Sequence, residues 1–352
     1  MERRSFLKAV GGAASGLALG ADPLRGSEEP VVEAERVAGL PRRFLGRTGQ
    51  KLSVAGFPGL ALIHEDHKRC NEGLRSALDR GVNYFDVAPA YGNGECETKM
   101  GIGLQGIKRD RYFLACKTRK RDKAGARAEL EHSLKLLKTD HFDLYQFHHL
   151  RWRDEVQQVL GPGGALETLL EARKEGKVKY LGFSAHTTKA ALMAMKGFRF
   201  DTVMFPISFV ELLRYGFGKE VLDMASQLGV AVLAIKGMSL GTWPKDAQKT
   251  HKWWYRLVEE ARDVDLAVRY TLSQPGVVAA LPPSFLDQLD KLVDAAKSFR
   301  PITPPEVEQL RKTAQSCESI FQTDEKQVTW HHGPREPSFP DSPHENCCGH
   351  WV

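Results

Sequence analysis

The sequence predicts an α/β protein whose central parallel sheet closes into a (β/α)8 barrel, or TIM barrel, followed by a C-terminal tail. From about residue 40, short β-branched or aromatic runs alternate with longer segments of helical periodicity. There are eight units of each kind, which favours closure of the sheet. The first strand–helix turn has no G-x-G-x-x-G motif, which disfavours an open, doubly wound sheet.

The predicted strands are short and bounded by turn residues. They cover 51–57, 82–87, 111–117, 142–148, 178–184, 201–205, 230–236 and 277–281. The predicted helices lie between and after them, and several end at glycine, a common residue just past a helix C-terminus. They cover 67–81, 94–106, 122–138, 163–176, 187–197, 218–229, 263–276 and 284–299.

The composition indicates a folded protein with a large core. The chain has 352 residues, of which 42% are hydrophobic and 27% are charged. Its 50 basic and 44 acidic residues are mixed, and no basic run is interleaved with aromatic residues, so we expect no nucleic-acid partner. Beyond the N-terminus no apolar stretch is long enough to span a bilayer, so we expect no integral membrane segment in the mature protein.

The N-terminus has the layout of a signal peptide over residues 1–21. Arg3 and Arg4, followed by Phe6, Leu7 and a Gly/Ala-rich run, resemble a twin-arginine export signal. The resemblance implies a bacterial protein that is periplasmic or otherwise exported, with the twin-arginine export machinery as a partner. The remaining predicted segments are a polar linker over 22–38, the barrel over 39–322 and a His/Cys-containing tail over 323–352.

The six cysteines form no C-x-x-C pair, which disfavours an iron–sulfur or zinc-ribbon site. The tail carries clustered His and Cys residues that could together hold a soft metal, namely His331, His332, His344, Cys347, Cys348 and His350. A disordered tail with incidental ligands is the favoured interpretation, and we predict no metal site. A metal-associated redox role for the tail is the open alternative.

Four side chains able to transfer or polarise protons fall at or just beyond the C-terminal ends of neighbouring predicted strands. Asp86 ends the second strand, Tyr91 lies in the loop after it, Lys117 ends the third strand and His148 ends the fourth. In a closed barrel these strand ends share one face, so the pattern predicts a single site. His149 would point the other way along its strand, because side chains alternate.

These residue types suit the reduction of a carbonyl group. A phenol is a reluctant acid, a lysine ammonium nearby is expected to lower its pKa by roughly 1–3 units, and a carboxylate balances the lysine. A histidine across the pocket would hydrogen-bond the substrate oxygen. No side chain donates a hydride, so the reaction requires a cofactor.

Residues 81–101, GVNYFDVAPAYGNGECETKMG, resemble the aldo-keto reductase signature, in which a strand ending FD-x-A leads to a loop YG-x-x-E. RYFLACK and DLYQFHH resemble the strands that carry that family's lysine and histidine. Residues 42–57 resemble its N-terminal β-hairpin and first strand, and the whole resemblance covers about residues 40–300. A specific loop motif of this kind is stronger evidence than any single residue.

The resemblance implies NAD(P)(H)-dependent interconversion of a small-molecule carbonyl and an alcohol. Tyr91 would be the general acid or base, Lys117 would tune it, Asp86 would pair with Lys117, and His148 would orient the substrate. Specificity would lie in the loops 58–66, 150–164, 206–218 and 238–254. The last is rich in aromatic residues, which favours either a pocket wall or packing on the barrel rim.

The cofactor, NADP or NAD, would lie across the barrel mouth against six residues implied by the resemblance: Ser184, Met204, Ile235, Lys236, Met238 and Ser284. This half departs from the family pattern. Ala185 follows Ser184 where many members have Asn, and Pro283 and Leu289 stand at or near the places of a Lys and an Arg that clamp the 2′-phosphate of NADP. The choice between NADP and NAD therefore stays open.

Two alternative functions remain. The altered cofactor positions and the export signal suit a catalytically weak or inactive module that binds or senses a nicotinamide cofactor. A lysine at a barrel strand end also suits a Schiff-base lyase that uses Lys117.

Overall fold

The computed structural model describes residues 35–330 except 246, 250 and 252, and for 329 and 330 it describes the backbone alone. The predicted signal peptide, most of the predicted linker and the His/Cys-rich end of the predicted tail lie outside the described residues. Within the described part of the chain, no helix is long and apolar enough to cross a membrane.

The strands form a small antiparallel sheet and a large parallel one. The small sheet comprises β1 (Arg36–Val37), β2 (Leu40–Phe44) and β3 (Lys51–Ser53). The large sheet comprises β4 (Gly56–Pro58), β5 (Tyr84–Asp86), β6 (Phe113–Thr118), β7 (Phe142–Leu150), β8 (Val178–Ala185), β9 (Thr202–Pro206), β10 (Ala231–Ile235) and β11 (Val277–Ala280). Its strands are hydrogen-bonded in chain order, and a parallel bridge between Ala55 and Ala280 brings the first and last together. The predicted barrel and N-terminal hairpin are both confirmed.

The prediction of one strand over 51–57 is wrong, because two strands share this run. β3 pairs with β2 in the hairpin, whereas β4 pairs with β5 in the barrel. The Ser53 hydroxyl donates to the Ala55 carbonyl at 2.7 Å, and the Asn83 side chain accepts from the Ser53 amide at 2.7 Å. These bonds satisfy backbone hydrogen-bonding groups where the chain passes from the small sheet to the large one. The apolar run therefore continues although the strand pairing is interrupted.

Twelve α-helices are described, and eight of them match the predicted ones. They are α1 (His67–Asp79), α2 (Glu95–Gly103), α3 (Lys123–Leu137), α4 (Arg153–Leu160), α5 (Ala165–Lys174), α6 (Thr188–Gly197), α7 (Phe209–Tyr215), α8 (Lys219–Leu228), α9 (Ala261–Leu272), α10 (Leu286–Lys297), α11 (Pro304–Ala314) and α12 (Gln322–Trp330). Side-chain caps begin several of them: Asp66 accepts from the Arg69 amide and Asp122 from the Gly125 amide, both at 2.8 Å.

Four helices were not predicted as such. α4 and α7 lie within 150–164 and 206–218, which the sequence presented as loops, and α11 follows the barrel. α12 occupies the start of the predicted tail. Its Asp324 forms a buried ion pair with Arg151 at 3.0 Å, so the packed part of the chain continues into this helix.

The alternation of side chains along the barrel strands sets which residues reach the mouth. Tyr84 packs in the inner cluster and Phe85 in the outer one, so the next residue, Asp86, faces inward again. On β6, Ala115 is inside and Cys116 outside, which turns Lys117 inward. Apolar residues fill the interior below them, so the polar side chains collect at the C-terminal ends of the strands.

Candidate active site

Asp86, Lys117 and Tyr91 form a hydrogen-bonded chain at the barrel mouth. The Lys117 ammonium donates to Asp86 Oδ1, to the Val87 carbonyl at 3.2 Å and to the Tyr91 hydroxyl at 3.3 Å. Lys117 is completely buried and Asp86 nearly so. Three acceptors thus surround a cation that could not be buried alone.

Two residues that the sequence reasoning missed complete the surroundings of Asp86. The Tyr84 hydroxyl donates to Asp86 Oδ2 at 3.1 Å, and the Gln146 amide donates to the same oxygen at 3.4 Å. Both are inward-facing neighbours of predicted site residues, two positions before Asp86 and His148 along their strands. That two-residue spacing is the signal that would have found them.

The loop after β5 places the phenol over this pair. Its turn has three successive residues with positive φ, Gly92 at 61°, Asn93 at 51° and Gly94 at 91°. At Gly92 it is the positive φ that favours glycine, because the nearest atom to an added Cβ is the movable end of the Ile63 side chain. The Gly/Asn composition of the loop therefore fixes the direction of Tyr91 just before α2 begins.

His148 lies beside Tyr91, with ring centroids 5.7 Å apart and the planes at 86°. Burial, together with the charges of Lys117 and Arg119, holds the pKa of His148 well below its ordinary value. The imidazole is therefore neutral, with one of its two ring nitrogens protonated. The next residue, His149, packs edge-on against His186 and does not line the cavity of the mouth.

The charge states of Lys117 and Tyr91 differ in one respect from what the sequence predicted. Burial alone would lower the pKa of Lys117, but the Asp86 carboxylate raises it above the ordinary value, so Lys117 remains an ammonium. The sequence predicted that Lys117 would lower the pKa of Tyr91. Instead, burial raises the pKa of Tyr91, and Lys117 offsets only part of that rise. Tyr91 therefore holds its proton at neutral pH.

A cavity opens beside the hydrogen-bonded chain of Asp86, Lys117 and Tyr91. Five of the six predicted cofactor residues line it: Ser184, Met204, Ile235, Lys236 and Ser284. Met238 is the exception, since it is buried in the outer core. Ser184 Oγ accepts a hydrogen bond from the His149 amide at 2.7 Å, which leaves its own hydroxyl hydrogen for another acceptor.

Apart from Asp86, Tyr91 and His148, the rest of the lining was not assigned from the sequence. His186, Trp253 and Tyr255 contribute polar and aromatic walls, together with apolar residues from the loops after β4 and β11. Trp253, in the predicted loop 238–254, and Tyr255, just after it, therefore face the cavity and do not serve only as packing on the rim. Trp253 and Tyr255 are buried and contact each other edge-to-face at 5.8 Å.

Lys236 follows β10 with a left-handed backbone, φ 63°. Its amine lies 5.0 Å from the Trp254 ring centroid and 5.3 Å from that of Tyr255. Burial lowers the pKa of Lys236 to about 7. The mouth thus contains a second lysine whose surroundings are aromatic.

The barrel and this face together define a class, an α/β-barrel oxidoreductase with its site at the C-terminal ends of the strands. A profile described as the Aldo/keto reductase family matches residues 64–315, and the chain belongs to that family.

Curated relatives agree with this assignment. The uncharacterized oxidoreductase YrpG of Bacillus subtilis is 31% identical over 233 residues, covering 59% of this chain and 69% of that protein. The aldo-keto reductase YhdN of Bacillus subtilis is 36% identical over 130 residues, covering 34% of this chain and 38% of YhdN. The L-galactose dehydrogenase of Arabidopsis thaliana is 31% identical over 157 residues, or 40% of this chain and 47% of that enzyme. The chain thus spans less than half of the length of two of these relatives.

Solved structures share the fold. The holo form of an aldo-keto reductase from Bacillus halodurans superposes with a TM-score of 0.64 at 24% identity, covering 81% of this chain and all of that one. An aldo-keto reductase from Klebsiella pneumoniae in complex with NADPH gives 0.59 at 20% identity, covering 76% and 93%.

Proposed function

We propose that this protein is a NAD(P)(H)-dependent oxidoreductase that interconverts a small aldehyde or ketone and the corresponding alcohol, with Tyr91 as the general acid and base. The hydrogen-bonded chain from Asp86 through Lys117 to Tyr91, beside a neutral His148 and an open cavity, carries this proposal. Family membership supports the oxidoreductase class.

In the reductive direction the Tyr91 hydroxyl gives its proton to the substrate oxygen. The phenolate left behind lies 3.3 Å from the Lys117 ammonium, which stabilises it, and Asp86 keeps Lys117 protonated throughout. His148 donates its N–H to the same substrate oxygen and fixes its approach. A bound nicotinamide cofactor supplies or accepts the hydride. In the oxidative direction Tyr91 takes the proton back.

The residues of the cavity fit a nicotinamide group. Met204 and Ile235 present apolar surface, and the Ser184 hydroxyl has a hydrogen to donate to a carboxamide oxygen. At the predicted 2′-phosphate position Pro283 offers no charge, and Leu289 is buried. Solved relatives bind NADPH or NADP. We therefore propose NADP or NAD as the cofactor, and binding measurements with both will decide between them.

Tyr91→Phe tests the mechanism, because it keeps the ring and removes the proton. We expect kcat for the reduction of 4-nitrobenzaldehyde to fall by about 10²–10⁴-fold with either NADPH or NADH, with unchanged cofactor affinity. Tyr112→Phe is the matched control, since Tyr112 lies before β6 at the far end of the strand and should reduce the aldehyde at the wild-type rate. A Tyr91→Phe protein with full activity would refute the assignment.

The same assays address the two alternatives. A cofactor-binding module would bind NADPH or NADH but turn over no aldehyde or ketone in a broad panel. For the Schiff-base lyase, Lys117 would need a free lone pair, whereas Asp86 holds it as an ammonium enclosed in the barrel. Borohydride treatment with an aldehyde should therefore leave Lys117 unmodified.

We further propose that residues 1–21 direct export by the twin-arginine pathway, on the basis of Arg3, Arg4 and the apolar run after them. Replacing both arginines by lysine should retain the protein in the cytoplasm of a bacterial host, as measured by cell fractionation. An unchanged distribution would contradict the proposal.

A further inference from the structure

Lys236 is a cation of the mouth for which the mechanism has no use. It lines the same cavity as Tyr91 and His148, so one molecule bound in that cavity can lie against all three residues. Its positive φ is uncommon for a residue with a Cβ and strains the backbone. A strained position of this kind indicates that the direction of the side chain matters.

The amine of Lys236 has no ion pair or hydrogen bond to any of the described residues. Its close neighbours are the rings of Trp254 and Tyr255, which attract a cation through their faces but do not neutralise it. The titratable groups that face it are Tyr255 and His186, and burial keeps both of these uncharged near neutral pH. No described carboxylate compensates Lys236.

The charges of the residues that line the cavity lead to the same conclusion about Lys236. Among the described residues that line it, Asp86 is the carboxylate, and it is already matched by Lys117. His148 is neutral for the reason given above. A protonated Lys236 is therefore an uncompensated positive charge in a partly desolvated site, and an anion is the partner that would compensate it.

We infer that Lys236 binds an anionic group, a carboxylate or a phosphate, on a molecule held in the mouth. One source is the substrate, which makes carbonyl compounds bearing an acidic group the preferred class. The other source is a phosphate of the cofactor. The inference rests on the proposed function for its choice of ligands, but its test uses equilibrium binding and does not need turnover.

The test compares two aldehydes of matched shape, 4-carboxybenzaldehyde and its neutral methyl ester, by titration calorimetry, with NADPH as a third probe. Lys236→Gln removes the charge, Lys236→Arg retains it, and Lys245→Gln removes an exposed lysine of the same segment as a control. If the substrate is the source, Lys236→Gln weakens carboxylate binding at least tenfold and changes ester and NADPH binding less than twofold.

If the cofactor is the source, NADPH binding weakens at least tenfold and the two aldehydes stay equivalent. In either case Lys236→Arg should retain most of the affinity, and binding of the anion should weaken as the pH rises above 7, because Lys236 then loses its proton. Equal binding of all three probes by wild type and Lys236→Gln overturns the inference, as does a wild-type protein that binds neither anionic probe. A protein that binds them through Lys236 but reduces no aldehyde would instead refute the proposed function.

Discussion

The two lysines of the barrel mouth occupy similar places in the fold and opposite surroundings. Lys117, at the end of β6, is enclosed by the Asp86 carboxylate, a carbonyl and a phenol oxygen. Lys236, just past the end of β10, faces two aromatic rings. The pKa of the first is raised and that of the second is lowered to about 7.

This contrast shows that the partners of a strand-end lysine determine its role. An ammonium locked to a carboxylate keeps its charge through a reaction, which suits the stabilisation of a neighbouring phenolate. An amine among aromatic rings has a charge that depends on pH and on what binds beside it. The side of the mouth near β5–β7 is thus complete within the protein, whereas the side near β10 is completed by a ligand.

Removing the charge of Lys117 should have the largest effect. Lys117→Met leaves Asp86 buried without a counter-charge, which costs about 3–5 kcal/mol in the free energy of unfolding. It also removes the cation that stabilises the Tyr91 phenolate, so kcat should fall by about 10²–10⁴-fold. Urea denaturation and steady-state kinetics measure the two effects.

The double variant Asp86→Asn/Lys117→Met separates them. With both charges gone, much of the lost stability should return, while the activity should not. If Lys117→Met alone kept its stability to within 1 kcal/mol, the two lysines would not differ as described.

Lys236 gives the opposite response to loss of charge. In an unfolded chain its pKa is about 10.4, against about 7 in the folded protein. Between these values the unfolded chain binds the extra proton, so the wild type gains stability relative to Lys236→Met as the pH rises. We expect Lys236→Met to be the more stable protein at pH 6.5 and to lose about 1–3 kcal/mol of that advantage by pH 9.5, a range discounted for partial exposure.

Urea midpoints of the two proteins at both pH values measure this difference. The contributions of the titratable groups that both proteins share cancel in the comparison. A difference in stability that stays constant with pH would mean that Lys236 has an ordinary pKa. The contrast with Lys117 would then rest on contacts alone.

The side of the mouth near β5–β7 was predictable from the sequence. Period-two alternation and a Gly/Asn-rich loop are local signals, and they place Asp86, Lys117 and Tyr91 together once the sheet closes. The split of 51–57 between two sheets was not visible, because the apolar pattern runs through it while the pairing partner changes.

The other side depended on contacts between distant segments. Trp254 and Tyr255 reach Lys236 from a long connection with little regular structure, and no spacing rule predicts that contact. The pKa of Tyr91 was misjudged for a related reason. The charge of Lys117 can be inferred from the sequence, but the depth of burial that outweighs it depends on the whole mouth.

The smallest expected effect concerns Tyr84, which was not predicted as part of the site. Tyr84→Phe removes the 3.1 Å hydrogen bond to Asp86 but leaves that carboxylate with Lys117 and Gln146. We therefore expect a loss of about 1 kcal/mol in stability and less than about fivefold in kcat. Tyr145→Phe is the matched control, because Tyr145 is equally buried but lies in the outer core, and it should leave kcat unchanged. A hundredfold loss of kcat in Tyr84→Phe would show that Asp86 needs all three donors to hold Lys117 in place. The residues required for activity on this side of the mouth would then extend one layer deeper into the barrel.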